Sequence, residues 1–343
     1  MALAIAVFCL SATAIVIAGT FLARSGDVIA ARTRLGGLWV GSVFLALATS
    51  LPELATDIVA VRLGALDLAA GDLFGSSMAN MLILGIIGII PAGAGLFRKA
   101  ALDHALYASL AIILTGIAAT AILAGGDARV GWLGVGSIIL LLVYGFGSWA
   151  AFRHSTVARV AGVVVEMSGD APAAGDPGSG ARAPTLRRAG LTFLAASAAI
   201  LLVAPRFARS ADELATLSGL GTTVVGTALV GLATSLPELV TCVAAVRLKA
   251  YDLAVGNLFG SNALNMTVFV ALDAAYGDGP FLSAISPTHA ITGLVAIVMM
   301  GIAVAALVYR SQTLYRLREP SSLLLIGAYI VGLALVATRA TAG

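Results

Sequence analysis

Charged residues are scarce in this sequence: Asp, Glu, Lys and Arg make up 11% of its 343 residues, whereas an average soluble domain has about 25%. Hydrophobic residues make up 60%, and the mean hydropathy is +1.03. A water-soluble chain of this composition would expose much of its apolar surface, so lipid is the expected solvent. The net charge of +3 is spread over short loops and forms no basic face that would bind nucleic acid.

Cysteine and histidine are also rare, which limits the available chemistry. Cys9 and Cys242 lie in apolar stretches, where we expect buried thiols rather than a disulfide or a metal site. None of His104, His154 and His289 has a partner at ligand spacing. The sequence has no G-x-S-x-G motif and no evident base for a nucleophile, so it predicts neither an enzyme nor a resident cofactor.

Ten apolar runs are long enough to cross a bilayer, which takes roughly 20 residues. They cover residues 1–22, 36–62, 67–91, 101–124, 130–151, 189–206, 220–246, 252–275, 287–309 and 321–338. The first run has no basic residue before it and is interpreted as a span rather than a signal peptide. The predicted fold is all-α, a polytopic membrane protein with ten transmembrane helices in two five-helix halves.

A segment rich in Gly, Pro, Ala and Asp extends from Glu166 to Pro184 and is predicted to be a flexible linker. It divides the chain into an N-terminal half, 1–152, a linker region, 153–188, and a C-terminal half, 189–343. Of the 20 basic residues, 15 lie in the odd-numbered loops. By the positive-inside rule, those loops and the linker face the cytoplasm, and both termini lie outside the cell membrane.

The two halves share an internal repeat. Residues 41–81 match residues 226–266 at a constant offset of 185, with 25 of 41 positions identical. The identities include Thr, Ser, Pro, Glu, Arg and Asn, so they exceed what two apolar segments share by composition. Each copy occupies the second and third spans of its half, about 36–91 and 220–275. Because each half has five spans, the copies cross the membrane in opposite directions, which is the inverted-repeat plan of many transporters.

Each copy places a glutamate inside a span, Glu53 in the first and Glu238 in the second. An ionised carboxylate at that depth costs about 2.5 kcal/mol or more, so it is expected to face a partner or a water-filled cavity. Pro52 and Pro237 precede the glutamates and oppose regular helical hydrogen bonding, which frees carbonyl groups a turn earlier. The alternative is a neutral glutamate bonded to a neighbouring helix, which would have to occur in both copies.

Oxygen-bearing groups surround both glutamates. The candidate ligands are the carbonyls of Ala46 and Gly231, the hydroxyls of Thr49, Ser50, Thr234 and Ser235, and two pairs that each share a helical face, Ser76 with Asn80 and Ser261 with Asn265. Oxygen ligands favour hard cations such as Ca²⁺ and Na⁺ over zinc or copper. Two carboxylates balance one calcium ion or two sodium ions, so competition between these loads would be the basis of antiport.

Glycines four residues apart, at 71 and 75 and at 256 and 260, form stripes that predict close helix packing beside the site.

The paired SLPE and G-(D/N)-x-x-G-S-x-x-x-N segments resemble the α-repeats of the cation/calcium exchanger superfamily, nearest its prokaryotic sodium/calcium exchangers. The resemblance implies that the second, third, seventh and eighth spans enclose the site and that the first and sixth spans slide past them. It also implies sodium/calcium exchange by a monomer in the lipid bilayer, with Glu53 and Glu238 as principal ligands and the other listed groups completing the sites. The alternatives are a calcium/proton antiporter on the same fold and, more distantly, a cation channel.

Three positions depart from the family pattern. Asn265 stands where some archaeal relatives have Asp. Asp57 lies one turn beyond Glu53, where the second repeat has Cys242, and is expected either to add a third negative charge to the ion pathway or to be a mouth-lining or helix-bonded residue. Asp72 takes the place of Asn257, and a capping or entrance role is expected there rather than direct ligation.

Overall fold

A computed structural model describes residues 2–33, 35–100, 102–166, 184–217, 234–309 and 320–340. The helices are α1 Ala2–Arg32, α2 Gly36–Trp39, α3 Ala46–Arg62, α4 Leu66–Ile89, α5 Leu96–Lys99, α6 His104–Ala124, α7 Val135–Glu166, α8 Leu186–Leu217, α9 Leu236–Arg247, α10 Tyr251–Tyr276, α11 Phe281–Ala284, α12 Thr288–Tyr309 and α13 Pro320–Ala340. A π-helical turn, Val40–Leu45, joins α2 to α3, and a 3₁₀ turn, Pro91–Gly93, follows α4. A short antiparallel hairpin, β1 Arg129–Val130 and β2 Leu133–Gly134, precedes α7.

Nine helices of the described chain are long and apolar enough to cross a membrane. They match nine of the ten predicted runs, which confirms the all-α polytopic membrane fold. The remaining run, 220–246, lies partly outside the described residues, and its described part contains α9. Residues 167–183 of the predicted linker also lie outside them. The first helix differs from the prediction, since α1 continues past residue 22 as far as Arg32.

The centre of the molecule is formed by α3, α4, α9 and α10, each of which contacts the other three. Two belong to the first half and two to the second. In their most apolar stretches, α4 is 78% buried and α10 is 83% buried, whereas α7 and α13 are 17% buried. The peripheral helices expose large apolar side chains such as Leu142 and Leu324, as expected for surfaces that face lipid.

The helices α1 and α8 pack along each other beside this centre, and the offset of 185 relates them. The helix α1 also contacts α9, and α8 also contacts α3. With 31 and 32 residues at 1.5 Å per residue, each is about 45 Å long. Because the hydrocarbon core is about 30 Å thick, both are long enough to cross it at a tilt or to extend beyond it.

The glycine stripe of the second repeat is a close helix contact, as predicted. A Cβ atom added to Gly260 would lie 2.2 Å from the carbonyl oxygen of Ser42, and one added to Gly41 would lie 2.7 Å from the carbonyl oxygen of Leu253. The π turn and α10 therefore touch backbone to backbone. For the first stripe, no described residue lies within 4 Å of a Cβ added to Gly75, and residue 227, the counterpart of Ser42, lies outside the described residues.

The two cysteines differ in their surroundings. Cys242 is buried on α9, as expected, but Cys9 is exposed on α1, so the expectation of a buried thiol is wrong there. The reason is the position of α1 at the edge of the bundle, where an apolar sequence faces outward rather than toward a protein core.

Candidate ion-binding site

Glu53 is held at the contact between α3 and α4. Its side chain is 5% exposed, and its Oε1 accepts a hydrogen bond of 2.9 Å from Ser76 Oγ. The helix α3 continues through Pro52, and the hydrogen bond that this proline cannot donate is the one to the Ala48 carbonyl. The preceding π turn is a second local irregularity, of the kind that recurs at functional sites.

Glu238 lies in the first turn of the described part of α9 and is 1% exposed. Neither of its carboxyl oxygens has a hydrogen-bond partner. The Thr49 hydroxyl lies beside it and has three other acceptors within reach: the backbone carbonyls of Leu45 and Ala46, at 3.1 and 3.2 Å, and Asn257 Oδ1, at 3.4 Å. Pro237 falls at the start of this helix, where a missing N–H is tolerated.

The two glutamates come together at the centre of the molecule. Glu53 stands on α3 and Glu238 on α9, two central helices that contact each other, and both side chains are buried. No lysine, arginine or histidine of the described chain forms an ion pair with either one. Two buried carboxylates without a counter-ion are costly unless a cation or a proton joins them, so this arrangement favours the binding of positive charge.

Most of the remaining predicted polar groups are buried in the same four central helices, and many have no partner. Asn80 Nδ2 donates to Asn262 Oδ1 at 2.8 Å, which leaves Asn80 Oδ1 unbonded. The other unbonded buried atoms of the predicted site are Ser50 Oγ, Ser235 Oγ, Ser261 Oγ and both amide atoms of Asn265. Buried polar atoms are almost always bonded, so a concentration of unbonded oxygens marks a place where a ligand or water binds.

The outer members of the predicted site are placed less completely. Ala46 offers a carbonyl oxygen that accepts from Thr49, and Thr234 is half-buried. Gly231 lies outside the described residues. The described residues contain no group of three or more His, Cys, Asp or Glu side chains arranged to hold a metal. Neutral hydroxyl, amide and carbonyl oxygens would therefore complete the coordination of any ion held by the glutamates.

Asp72 does not cap its helix. The helix α4 begins at Leu66 with Ala65 as its N-cap, so Asp72 lies in the second turn. It is half-buried, and its carboxyl group lies within hydrogen-bonding reach of that of Asp57. Asp57 itself is 2% exposed, one turn from Glu53. The expected capping role is wrong, because the N-cap lies seven residues before Asp72; the alternative entrance role remains a prediction.

Two polar residues of α10 were missing from the predicted set. Asn257 accepts from Thr49, and Asn262 bridges the halves by accepting from Asn80 and donating to the Ser77 carbonyl at 3.2 Å. Asn262 and Ser77 are related by the offset of 185, so this contact lies on the approximate symmetry axis. The segment Gly256–Asn265 contained the signal, since three asparagines in a membrane span need partners or ligands.

Two histidines also take part in contacts between the halves. His104 Nε2 lies 3.0 Å from Asp252 Oδ1, and His289 Nε2 lies 3.0 Å from Asp67 Oδ1. The offset of 185 relates His104 to His289 and Asp67 to Asp252, so one symmetric contact occurs twice. Extending the repeat beyond residue 81 would have shown that the two histidines are equivalent, but not that they contact these aspartates.

A membrane protein with two repeat-related halves and a buried, oxygen-lined pair of carboxylates at their junction belongs to the secondary cation transporters. The sequence profile described as sodium/calcium exchanger protein matches residues 3–153 and 189–338. The chain therefore belongs to the sodium/calcium exchanger family, a family of membrane cation antiporters rather than enzymes.

Several relatives share parts or most of the chain. The sodium/calcium exchanger MaX1 of Methanosarcina acetivorans is 39% identical over 85 residues, which is 25% of this chain and 24% of that protein. The inner membrane protein YrbG of Escherichia coli is 28% identical over 311 residues, covering 87% of this chain and 86% of its own. Solved structures of the sodium-calcium exchanger NCX_Mj superpose with a TM-score of 0.67 over 97% of this chain and 98% of that chain, at 18% identity, which shows a common fold.

Proposed function

We propose that this chain exchanges sodium for calcium across the cell membrane, with a site formed jointly by Glu53 and Glu238. The observation that carries the proposal is the meeting of two buried carboxyl groups, one from each half, without a basic partner among the described residues. Their combined charge balances one calcium ion or two sodium ions. Two cations that compete for one pair of carboxylates cannot both occupy it, which couples their transport.

The neutral groups support the choice of hard cations. Calcium takes six to eight oxygen ligands in flexible geometry. Ser76, already bonded to Glu53, and Asn80 stand on α4, whereas Ser261 and Asn265 stand on α10. With both glutamates, these helices offer hydroxyl and amide oxygens from two sides. The only buried thiol nearby, that of Cys242, is bonded to Asn257 and Ala254, so a soft-metal site is not favoured.

The packing of α1 and α8 supports alternating access. These two helices contact each other along their length and touch the central four through α9 and α3. We propose that they slide together past the centre and expose the site to each side in turn. The predicted topology places both termini outside and the linker in the cytoplasm, so the α1–α2 connection would face the cytoplasm.

The counter-ion is tested by flux into vesicles that contain the purified chain. An outward sodium gradient should drive calcium uptake, and a pH gradient of equal magnitude without sodium should not. Uptake driven by the pH gradient alone would instead identify a calcium/proton antiporter. Uptake that needs neither gradient and does not saturate would identify a channel.

The site is tested by the variants Glu53→Gln and Glu238→Gln. Each should abolish sodium-driven calcium uptake, because a neutral amide leaves one carboxylate to hold a divalent ion. Glu213→Gln is the matched control, since Glu213 is exposed on α8. Wild-type exchange in either site variant would contradict the proposal.

A further inference from the structure

The two copies of the repeat carry different residues at two positions near the glutamates. At the offset of 185, Asp57 corresponds to Cys242, and Asp72 corresponds to Asn257. In the second half this pair is neutral and bonded: Asn257 Nδ2 donates to Cys242 Sγ at 3.5 Å, and Cys242 Sγ donates to the Ala254 carbonyl at 3.5 Å. The first half has two carboxyl groups in the same places.

When both are ionised, these two carboxyl groups cannot satisfy each other. Asp57 and Asp72 stand on the contacting helices α3 and α4, and their counterparts in the second half, Cys242 and Asn257, lie 3.5 Å apart; ionised carboxylates in such places can only accept hydrogen bonds. Asp57 is 2% exposed, and its Oδ2 has no hydrogen-bond partner. The ion pairs found among the described residues involve neither aspartate. Like charges this close in a low-dielectric interior require either a cation or a shared proton between them.

We propose that Asp57 and Asp72 form a second calcium-binding site, separate from the glutamate pair and present only in the first half. The inference rests on the proposed function in taking calcium to be the divalent ion that reaches this place. Two carboxylates balance the charge of one calcium ion and offer up to four oxygens. Because Asp72 is half-buried, water has access to complete the six to eight ligands that calcium takes.

The position of the pair gives it a place in the transport path. Four residues of helix separate Asp57 from Glu53, which is about 6 Å along α3. The same spacing separates Asp72 from Ser76, the hydrogen-bond donor to Glu53, on α4. The aspartate pair therefore lies next to the glutamate site on the side of residues 63–65. In the predicted topology that side is extracellular, and the equivalent place toward the cytoplasm holds the neutral pair Cys242 and Asn257.

The test is equilibrium binding of radioactive calcium to the purified full-length chain in detergent. The wild type should bind two calcium ions per chain. The variant Asp57→Cys/Asp72→Asn, which copies the pair of the second half, should bind one. The variant Glu53→Gln/Glu238→Gln should also bind one, held by the aspartates. Combining all four substitutions should remove calcium binding.

The outcomes separate this site from the proposed function. If the wild type binds two ions and the aspartate variant still binds two with the same affinity, the second site is wrong. If the wild type binds one ion that only the glutamate variant loses, the aspartates share a proton and the second site is again wrong. If the single ion is lost only in the aspartate variant, the second site stands and the glutamate site fails.

Folding is controlled in each variant by size-exclusion chromatography and thermal unfolding. Should the double aspartate variant unfold, Asp72→Asn alone replaces it, because the new amide can donate to Asp57 as Asn257 donates to Cys242. This single substitution should also lose one bound calcium. Retention of both ions in a folded Asp72→Asn chain would overturn the inference.

Discussion

Replacing Gly260 by alanine should disable transport through packing rather than through ion ligation. The added Cβ would lie 2.2 Å from the Ser42 carbonyl oxygen and 2.5 Å from the Ser42 Cα, both in backbone. Ordinary contact needs at least 3.4 Å, so α10 and the π turn must separate by roughly 1 Å. Overpacking of this kind typically costs about 1–3 kcal/mol.

The functional cost should exceed the loss of stability. The helix α10 carries Ser261 and Asn265, and Asn257 on the same helix meets Thr49 at 3.4 Å. A displacement of about 1 Å moves all three relative to α3, and misplacement of that size can reduce an activity by about two orders of magnitude. We expect a lower unfolding temperature in detergent together with a nearly complete loss of sodium-driven calcium uptake.

The matched control is Gly301→Ala, since Gly301 lies within α12 and no described residue is within 4 Å of its added Cβ. It should unfold and transport like the wild type. If Gly260→Ala also keeps the wild-type unfolding temperature and uptake rate, the backbone contact between α10 and the π turn is not a constraint and the reasoning fails.

Three further perturbations test separate parts of the site. Ser76→Ala removes the 2.9 Å hydrogen bond to Glu53. Because a hydrogen bond to a charged group contributes about 1.5–3 kcal/mol, calcium affinity measured by titration should weaken by about 10- to 150-fold. An unchanged affinity would show that Ser76 is not part of the site. Asn265→Asp adds a buried carboxyl group. Because protonation neutralises this added charge, calcium uptake should fall more steeply than in the wild type as the pH is lowered. An identical pH profile would place residue 265 outside the site. His104→Phe keeps an aromatic ring but removes the 3.0 Å contact with Asp252. It should lower the free energy of unfolding by about 1 kcal/mol. Unaltered unfolding in denaturant would show that this contact between the halves is not stabilising.

The sequence predicts the site best at the polar residues that are identical in both copies of the repeat. Glu53 and Glu238 are costly in a membrane, and their equal surroundings in two copies point to one shared role before any coordinates are known. The structure brings both to the same buried centre. Their identity as ion ligands remains a prediction, because it depends on binding measurements.

Other features could not be read from local pattern. Asp72 was expected near the start of its span, where it could cap the helix, but α4 begins six residues earlier, at Leu66, so Asp72 lies in the second turn. The pairing of His104 with Asp252 joins residues 148 positions apart, and only the tertiary arrangement brings them together. Cys9 was expected to be buried because it lies in an apolar stretch, but on a helix at the edge of the bundle an apolar stretch can face lipid.

The most direct measurement of the central claim is anomalous X-ray diffraction from crystals of the chain grown with calcium. The account predicts an anomalous peak at the junction of the two halves, coordinated by carboxyl oxygens of both Glu53 and Glu238. A calcium peak that contacts only one of these side chains, or none at the junction of α3 and α9, would contradict it.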